Sequence, residues 1–301
     1  MTNDKSSSWL RVFLAVVCMP CLILTGAVAA EPASPAPTVP PKVLREATPA
    51  HNAVAFWREV RAGEAGVTTV RGTESGVLVS PDGNTWRQIR NGPLTVYGGS
   101  LLLLIAIGIG LFHRRNGMYR LKEKATGKTM VRFSKWERGV HWLVAISFIC
   151  LALSGLNMLF GKHLLLPLMG HVLFSWLAGL GKFIHNVSGF VFAVGVVLIF
   201  GTFYKDNFWH AADAEWIAKA GGLASHEHVP SGRFNFGEKV WFWLGVCLLG
   251  LIMIASGVSL LFPSAFDTRH AMQTLEVIHA GAAVLLFAMA LGHIYIGTIG
   301  V

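Results

Sequence analysis

Five apolar runs organise the chain, at about Leu94–Phe112, Val140–Phe160, Phe183–Tyr204, Val240–Phe262 and Leu275–Gly300. Each comes close to the roughly 20 residues that a helix needs to cross the hydrocarbon core of a bilayer, so the pattern predicts five transmembrane helices. Between the second and third, His163–Lys182 is also apolar, but Pro167, Gly170, Gly179 and Gly181 interrupt it. That stretch reads as an interfacial segment rather than a sixth span. No internal repeat stands out.

The chain before the first span divides into three. Residues 1–30 have a short polar start with Lys5 and Arg11, an apolar run from Val12 to Val28, and the small-residue ending Val28-Ala29-Ala30. This is the layout of a cleavable secretory signal processed after Ala30, with an uncleaved first helix as the other reading. Cys18 and Cys21 leave with it, and Cys150 and Cys247 then read as small core residues within apolar runs. Residues 31–50, rich in Pro and Ala, form a linker. From His51 to Gly92 the chain is polar enough for a small extramembrane module. Within it Gly76–Ser80 and Thr85–Arg90 flank Pro81-Asp82-Gly83-Asn84, a hairpin signal. So short a module cannot bury much of a core and is expected to lean on a partner subunit.

Composition supports the membrane reading. The chain is 53% hydrophobic and 14% charged, against roughly 25% charged in soluble proteins. A soluble fold, a disordered chain and a disulfide scaffold are all excluded by those figures. The net charge of +9 could suggest nucleic acid, but its distribution along the chain argues otherwise. Nine Lys/Arg lie between His113 and Gly139 and four more between Lys205 and Lys239, whereas the opposite loops hold only Lys162, Lys182 and Arg269. The positive-inside rule puts the two richer loops in the cytoplasm. A cleaved signal independently puts residues 31–93 outside.

Ionisable side chains inside spans are costly and usually functional. Four histidines fall within or at the ends of the predicted spans: His141, His185, His279 and His293. The topology sorts them by depth, with His185 and His279 near the outer face and His141 and His293 near the inner face. His279 and His293 are 14 residues apart, which on one helix puts them within roughly 40° of a common face and about 21 Å apart along the axis. One helix can therefore offer an axial ligand to each of two stacked prosthetic groups, each completed from another helix. Haem iron takes two axial imidazoles, whereas structural zinc wants four ligands at one point and these four cannot meet across that distance. Gly155, Gly189 and Gly281 are spaced to let a flat macrocycle approach the helices. His171 is also 14 residues before His185, but the glycines between them assign it to a loop. His113 is a possible substitute for His141. His51, His163, His210, His226, His228 and His270 read as solvated. A non-redox membrane protein for assembly or transport, with histidines serving only hydrogen bonds, is the alternative of another class.

The residues around these histidines resemble a known family. Trp136-Glu-Arg-Gly-Val-His141-Trp, Gly181-Lys-Phe-Ile-His185-Asn, Phe234-Asn235-Phe-Gly237-Glu238-Lys239-Val-Trp-Phe-Trp243, and Ile278-His279-Ala-Gly through Gly292-His293-Ile-Tyr295 are similar to the membrane cytochrome b (gamma) subunit of respiratory formate dehydrogenases, over residues 53–301. The resemblance implies an all-α fold, with a four-helix dihaem bundle over 140–301, one extra helix at 94–112, a basic cytoplasmic loop at 113–139, and the periplasmic linker and hairpin module at 31–93. It implies two haem b groups held by His141, His185, His279 and His293, with Gly155, Gly189, Arg138 and Lys182 around them. It further implies a quinone, menaquinone or ubiquinone, near Asn235, Gly237, Glu238 and His293. Lys135 and Lys239 stand with Arg138 where inner propionates would emerge, or else act as ordinary interfacial anchors.

The implied partners are an iron–sulfur (beta) subunit and a molybdenum or tungsten catalytic (alpha) subunit outside the inner membrane, alongside lipid and without nucleic acid. Formate oxidation would lie on the alpha subunit, and this chain would carry the electrons inward to quinone. A cytochrome b of a nickel–iron hydrogenase, or a stand-alone quinone-linked cytochrome b, remains open. Relatives continue past the last span with a basic tail, so the chain is expected to be truncated at Val301.

Overall fold

The computed structural model describes residue 58 and residues 81–118, 131–222, 229–263 and 269–300. The expected signal at 1–30, the linker at 31–50, the first hairpin strand at 76–80 and residues 119–130 of the basic loop lie outside them. The described residues are helical, without a strand. The elements are α1 Pro81–Ile89, α2 Thr95–Asn116, α3 Lys135–Leu164, α4 Leu166–Phe203, α5 Ala211–Ala218, α6 Phe236–Val240, α7 Gly250–Leu261 and α8 Arg269–Thr298. A π-helical turn, Arg90–Leu94, joins α1 to α2, and a longer one, Trp241–Leu249, joins α6 to α7. Five segments are long and apolar enough to cross a membrane: Gly83–Asn116, Lys135–Leu164, Leu166–Asn207, Phe236–Leu261 and Arg269–Thr298. The protein is an all-α, multi-pass membrane protein.

The described residues fall into two compact units, one within Met1–Arg90 and Phe262–Val277, the other within Asn91–Leu261 and Ile278–Val301. In the first, the turn and second strand expected at 81–90 are helical. Pro81 opens a helix instead, a position where its missing N–H costs nothing. Trp86 and Arg90 are half-buried while residues 87–89 are exposed, a helical rather than an alternating pattern. Arg87 also donates to Asn84 Oδ1 one turn back, at 2.9 Å. The turn chemistry of Pro-Asp-Gly-Asn thus gave way to the helix that continues from it.

In the second unit, α3 and α4 share the most extensive packing. Lipid tails are as apolar as leucine, so such contacts depend on close fit and small residues. Gly195 of α4 is one such position, since a Cβ there would collide with Val144 of α3 at 2.5 Å. Leu102 of α2 packs with Val284 and Ala288 of α8, flanked by Leu159 and Phe160. At mid-height Phe148 lies 6.4 Å from both Phe192 and Phe287, forming a three-helix aromatic layer.

The stretch expected to be interfacial is a tight helix–helix turn followed by helix. The chain breaks at Gly170, where φ is +73°, a conformation costly for any residue with a Cβ, and runs helically from there to Phe203. Gly179 and Gly181 do not interrupt it, because a lone glycine costs only about 1 kcal/mol relative to alanine. His171 therefore lies on the same helix as His185, not in a loop, with its side chain exposed.

Reciprocal caps set the helix starts at the other end. Ser134 and Glu137 cap α3, and Asn235 and Glu238 cap α6, each pair exchanging side-chain and backbone hydrogen bonds. Arg233 ties the loops together. Its guanidinium meets Glu137 at 2.6 Å and Asp206 at 2.7 Å, and lies over the Phe133, Phe203 and Phe234 rings. Those two carboxylates hold its pKa above the ordinary arginine value, against the opposing effect of burial.

Candidate functional site

The four intramembrane histidines meet in two pairs, one toward each end of the bundle. His141 of α3 faces His293 of α8 with ring centroids 6.2 Å apart and planes at 52°. His185 of α4 faces His279 of α8, also at 6.2 Å, with planes at 68°. Two metal–nitrogen bonds of about 2 Å each, plus the distance from nitrogen to ring centre on both sides, give roughly 6 Å between centroids in a linear imidazole–metal–imidazole unit. Both gaps match that figure. Among the described residues no group of three or more His, Cys, Asp or Glu could hold a metal ion. Each pair could thus offer a metal at most two protein ligands, leaving the remaining coordination positions to a non-protein group. That is the donor set a porphyrin iron requires.

The His185–His279 pair is held from behind. Ser154 Oγ lies 2.9 Å from His185 Nδ1, and Ser256 Oγ lies 2.8 Å from His279 Nδ1. Glycines sit beside both rings. A Cβ at Gly155 would lie 3.6 Å from His185 Cε1, and one at Gly257 would lie 3.3 Å from His279 Cε1. At Gly189 and Gly281 a Cβ would meet nothing within 4 Å, which leaves open ground about a turn or less from His185 and His279. Gly155 thus lies beside the His185 ring, and Gly189 lies one turn beyond His185 on the same helix. Lys182 is three residues ahead of His185 and its side chain is exposed.

The His141–His293 pair is built differently. Trp241 stacks on His293, with centroids 4.9 Å apart and planes at 11°. The indole occupies the space above Gly245, where a Cβ would fall 2.6 Å from Trp241 Cε3. Both residues belong to the π-helical stretch, a distortion often found at functional sites. Arg138 lies three residues ahead of His141 and is exposed, as is Lys135. His113, the possible substitute ligand, meets Tyr295 Oη at 3.3 Å instead of an imidazole.

Asn235, Gly237 and Glu238 lie at the start of α6, one to two turns before Trp241. Asn235 Oδ1 accepts from Glu238 N at 2.9 Å, and Glu238 Oε2 accepts from Asn235 N at 2.8 Å. Asn235 Nδ2 and Glu238 Oε1 are thereby left to face other groups, and Arg132 approaches Glu238 Oε1 at 3.6 Å. A Cβ at Gly237 would come 3.2 Å from Trp216.

Lys239 departs from expectation. Its ammonium is buried against Asp213 Oδ2 at 2.6 Å and is not open to a propionate. Burial on its own would raise the Asp213 carboxyl, but the Lys239 ammonium and the His210 backbone N–H hold it below the ordinary carboxylate value.

The depth sorting of the four histidines anticipates how they pair, but sequence reasoning misses the neighbours of those rings, Ser154, Ser256, Gly257, Trp241 and Gly245. The recurrence of Ser-Gly at 154–155 and 256–257, each on the span before the helix whose histidine it faces, was the available signal.

Comparison with known proteins adds two findings. The family model for prokaryotic cytochrome b561 matches residues 132–300, which include all four histidines. The cytochrome b556(fdo) subunit of formate dehydrogenase from Escherichia coli strain K12 is 31% identical over 172 residues, covering 56% of this chain and 78% of that protein. The cytochrome b556(Fdn) subunit of the nitrate-inducible formate dehydrogenase is 27% identical over 180 residues, covering 56% of this chain and 77% of that protein, in Escherichia coli strain K12 and in Shigella flexneri alike.

Proposed function

The chain belongs to the prokaryotic cytochrome b561 family, and on that premise we propose that it is the dihaem b subunit of a membrane-bound formate dehydrogenase. It would anchor the complex in the bacterial inner membrane with its N-terminal module in the periplasm. The formate dehydrogenase subunits similar to it support that assignment. The observation that carries the dihaem reading is the pairing of four imidazoles at one metal-spanning distance, twice. When bound, two haem b groups supply one-electron chemistry between an iron–sulfur partner on the periplasmic side and a quinone near the cytoplasmic side.

The residues of this chain divide the remaining work. His185 and His279 form the outer site, and His141 and His293 the inner one. Lys182 and Arg138, each one turn ahead of a ligand, are placed to meet carboxylates at the membrane surface. Asn235 Nδ2 is a donor suited to a quinone carbonyl oxygen. Glu238 Oε1, facing Arg132 and not committed to the cap, is the atom suited to hold a proton for quinol. The exposed apolar side chains along the spans, among them Leu104, Ile146, Leu153 and Val194, face lipid.

The test is haem stoichiometry and the reduced-minus-oxidised spectrum of the purified chain. His279→Ala should lose the outer haem alone and His293→Ala the inner one alone. Two haems per chain in either variant would refute the ligand assignment, and a wild type without b-type bands would favour a non-redox membrane protein. Co-purification of a molybdopterin subunit supports formate as the donor, whereas a nickel–iron subunit refutes it.

A further inference from the structure

The outer imidazoles share a construction that the inner pair lacks. On each side a Ser-Gly dipeptide from the neighbouring span faces the ligand, Ser154-Gly155 against His185 and Ser256-Gly257 against His279. Both serines are buried, at 6% and 4% exposure. Each also reaches the carbonyl one helical turn back: Ser154 Oγ to Cys150 O at 2.6 Å, and Ser256 Oγ to Ile252 O at 2.6 Å.

A hydroxyl has one hydrogen and two lone pairs. The carbonyl can only accept, so the serine hydrogen is committed to it and the Oγ must accept from the ring. Nδ1 therefore carries the proton, and the lone pair sits on Nε2. The opposite tautomer would set the Nδ1 lone pair against an oxygen lone pair in an apolar setting, with nothing to compensate. Among the described residues neither His141 nor His293 has a hydrogen-bond partner, and His293 is braced by the Trp241 ring instead.

We propose that Ser154 and Ser256 are positioning residues that lock the outer imidazoles with Nε2 toward the iron and, by accepting Nδ1–H, hold the outer haem at a lower reduction potential than the inner one. A ligating imidazole that donates its other N–H to an acceptor becomes more basic. A more basic axial ligand favours the oxidised iron, and such second-shell hydrogen bonding is one of the levers a protein has on haem potential. Electron flow from the outer to the inner site is then downhill. The inference rests on the dihaem reading above.

The test is a redox titration of the full chain, purified with its haems and followed in the visible band. The outer component is identified as the one missing from His279→Ala. Ser154→Ala and Ser256→Ala should each move that component to higher potential and leave the inner one in place. The double variant should move it further and narrow the gap, and Ser→Thr at either position should restore it. Loss of the outer haem in an alanine variant that the threonine variant retains also supports the proposal, since the hydroxyl is then required for the ligand to hold. Both haems present with the outer component unmoved overturns the serine assignment alone. Equal movement of both components, or threonine behaving like alanine, overturns it as well. Fewer than two haems in the wild type refutes the dihaem reading itself, and this proposal with it.

Discussion

Replacing Lys239 with methionine removes half of an ion pair that solvent barely reaches. The two charged atoms are 2.6 Å apart, and the side chains are 7% and 3% exposed. Without the ammonium, Asp213 keeps only the His210 N–H, at 2.7 Å, while remaining buried. Stranding one member of a buried pair costs roughly 3–5 kcal/mol, and each 1.4 kcal/mol is about tenfold in an equilibrium, so opening of the α5–α6 contact should become more than about a hundredfold more frequent. Hydrogen exchange of peptides from Ala211–Ala218, in the full chain and corrected for intrinsic rate, reads that opening directly.

The pH dependence has a definite sign. The wild-type Asp213 carboxyl is held below its ordinary value, so its stabilisation is complete above the unfolded value and fades only as pH falls through the depressed folded one. Protection should thus stay flat between about pH 8 and pH 5. In Lys239→Met burial dominates and the folded value rises above the unfolded one, so protection should increase as pH falls. Asp213→Leu combined with Lys239→Met should recover most of the loss, because no stranded charge is left. Wild-type protection in the single variant at pH 7, or a double variant worse than either single one, would refute the reasoning.

Two further predictions concern the proposed inner site at His141 and His293. Gly245→Ala puts a methyl where the Trp241 ring lies, only 2.6 Å from Cε3, so the indole must leave His293; inner-haem occupancy or its absorption band should change while the outer haem stays, as pyridine haemochrome and visible spectra would show. Asn235→Ala should lower the thermal midpoint through loss of a cap worth about 1 kcal/mol, whereas Asn235→Ser should keep the cap yet lose quinone reduction, and a wild-type rate in the serine variant would remove Asn235 from the quinone site.

Much of the bundle was legible because membrane spans announce themselves by length and charge, and histidine is rare enough in them to stand out. His279 and His293 even carried their relation in their spacing, since both lie on one helix. Ser154 and Ser256 carried none, because a serine in an apolar run reads simply as small until helix pairing shows what its oxygen meets. Trp241 was one of two tryptophans in its motif, and only the π-helical turn of the backbone gave it a partner. Lys239 looked like a surface anchor because its partner, Asp213, lies 26 residues away on a helix that the apolar pattern did not mark. The error at Pro81–Asn84 was one of competing local signals, settled by the helix that follows.

Because α8 carries one histidine of each facing pair in one unbroken helix, the thirteen residues between His279 and His293 behave as a gauge of set length. Their identities can drift so long as the helix packs, but their number cannot. One added residue would turn everything beyond it by about 100° and advance it about 1.5 Å, taking one imidazole out of line with its partner whichever end stayed put. An insertion or deletion there should therefore break one of the two histidine pairs, whatever the residue.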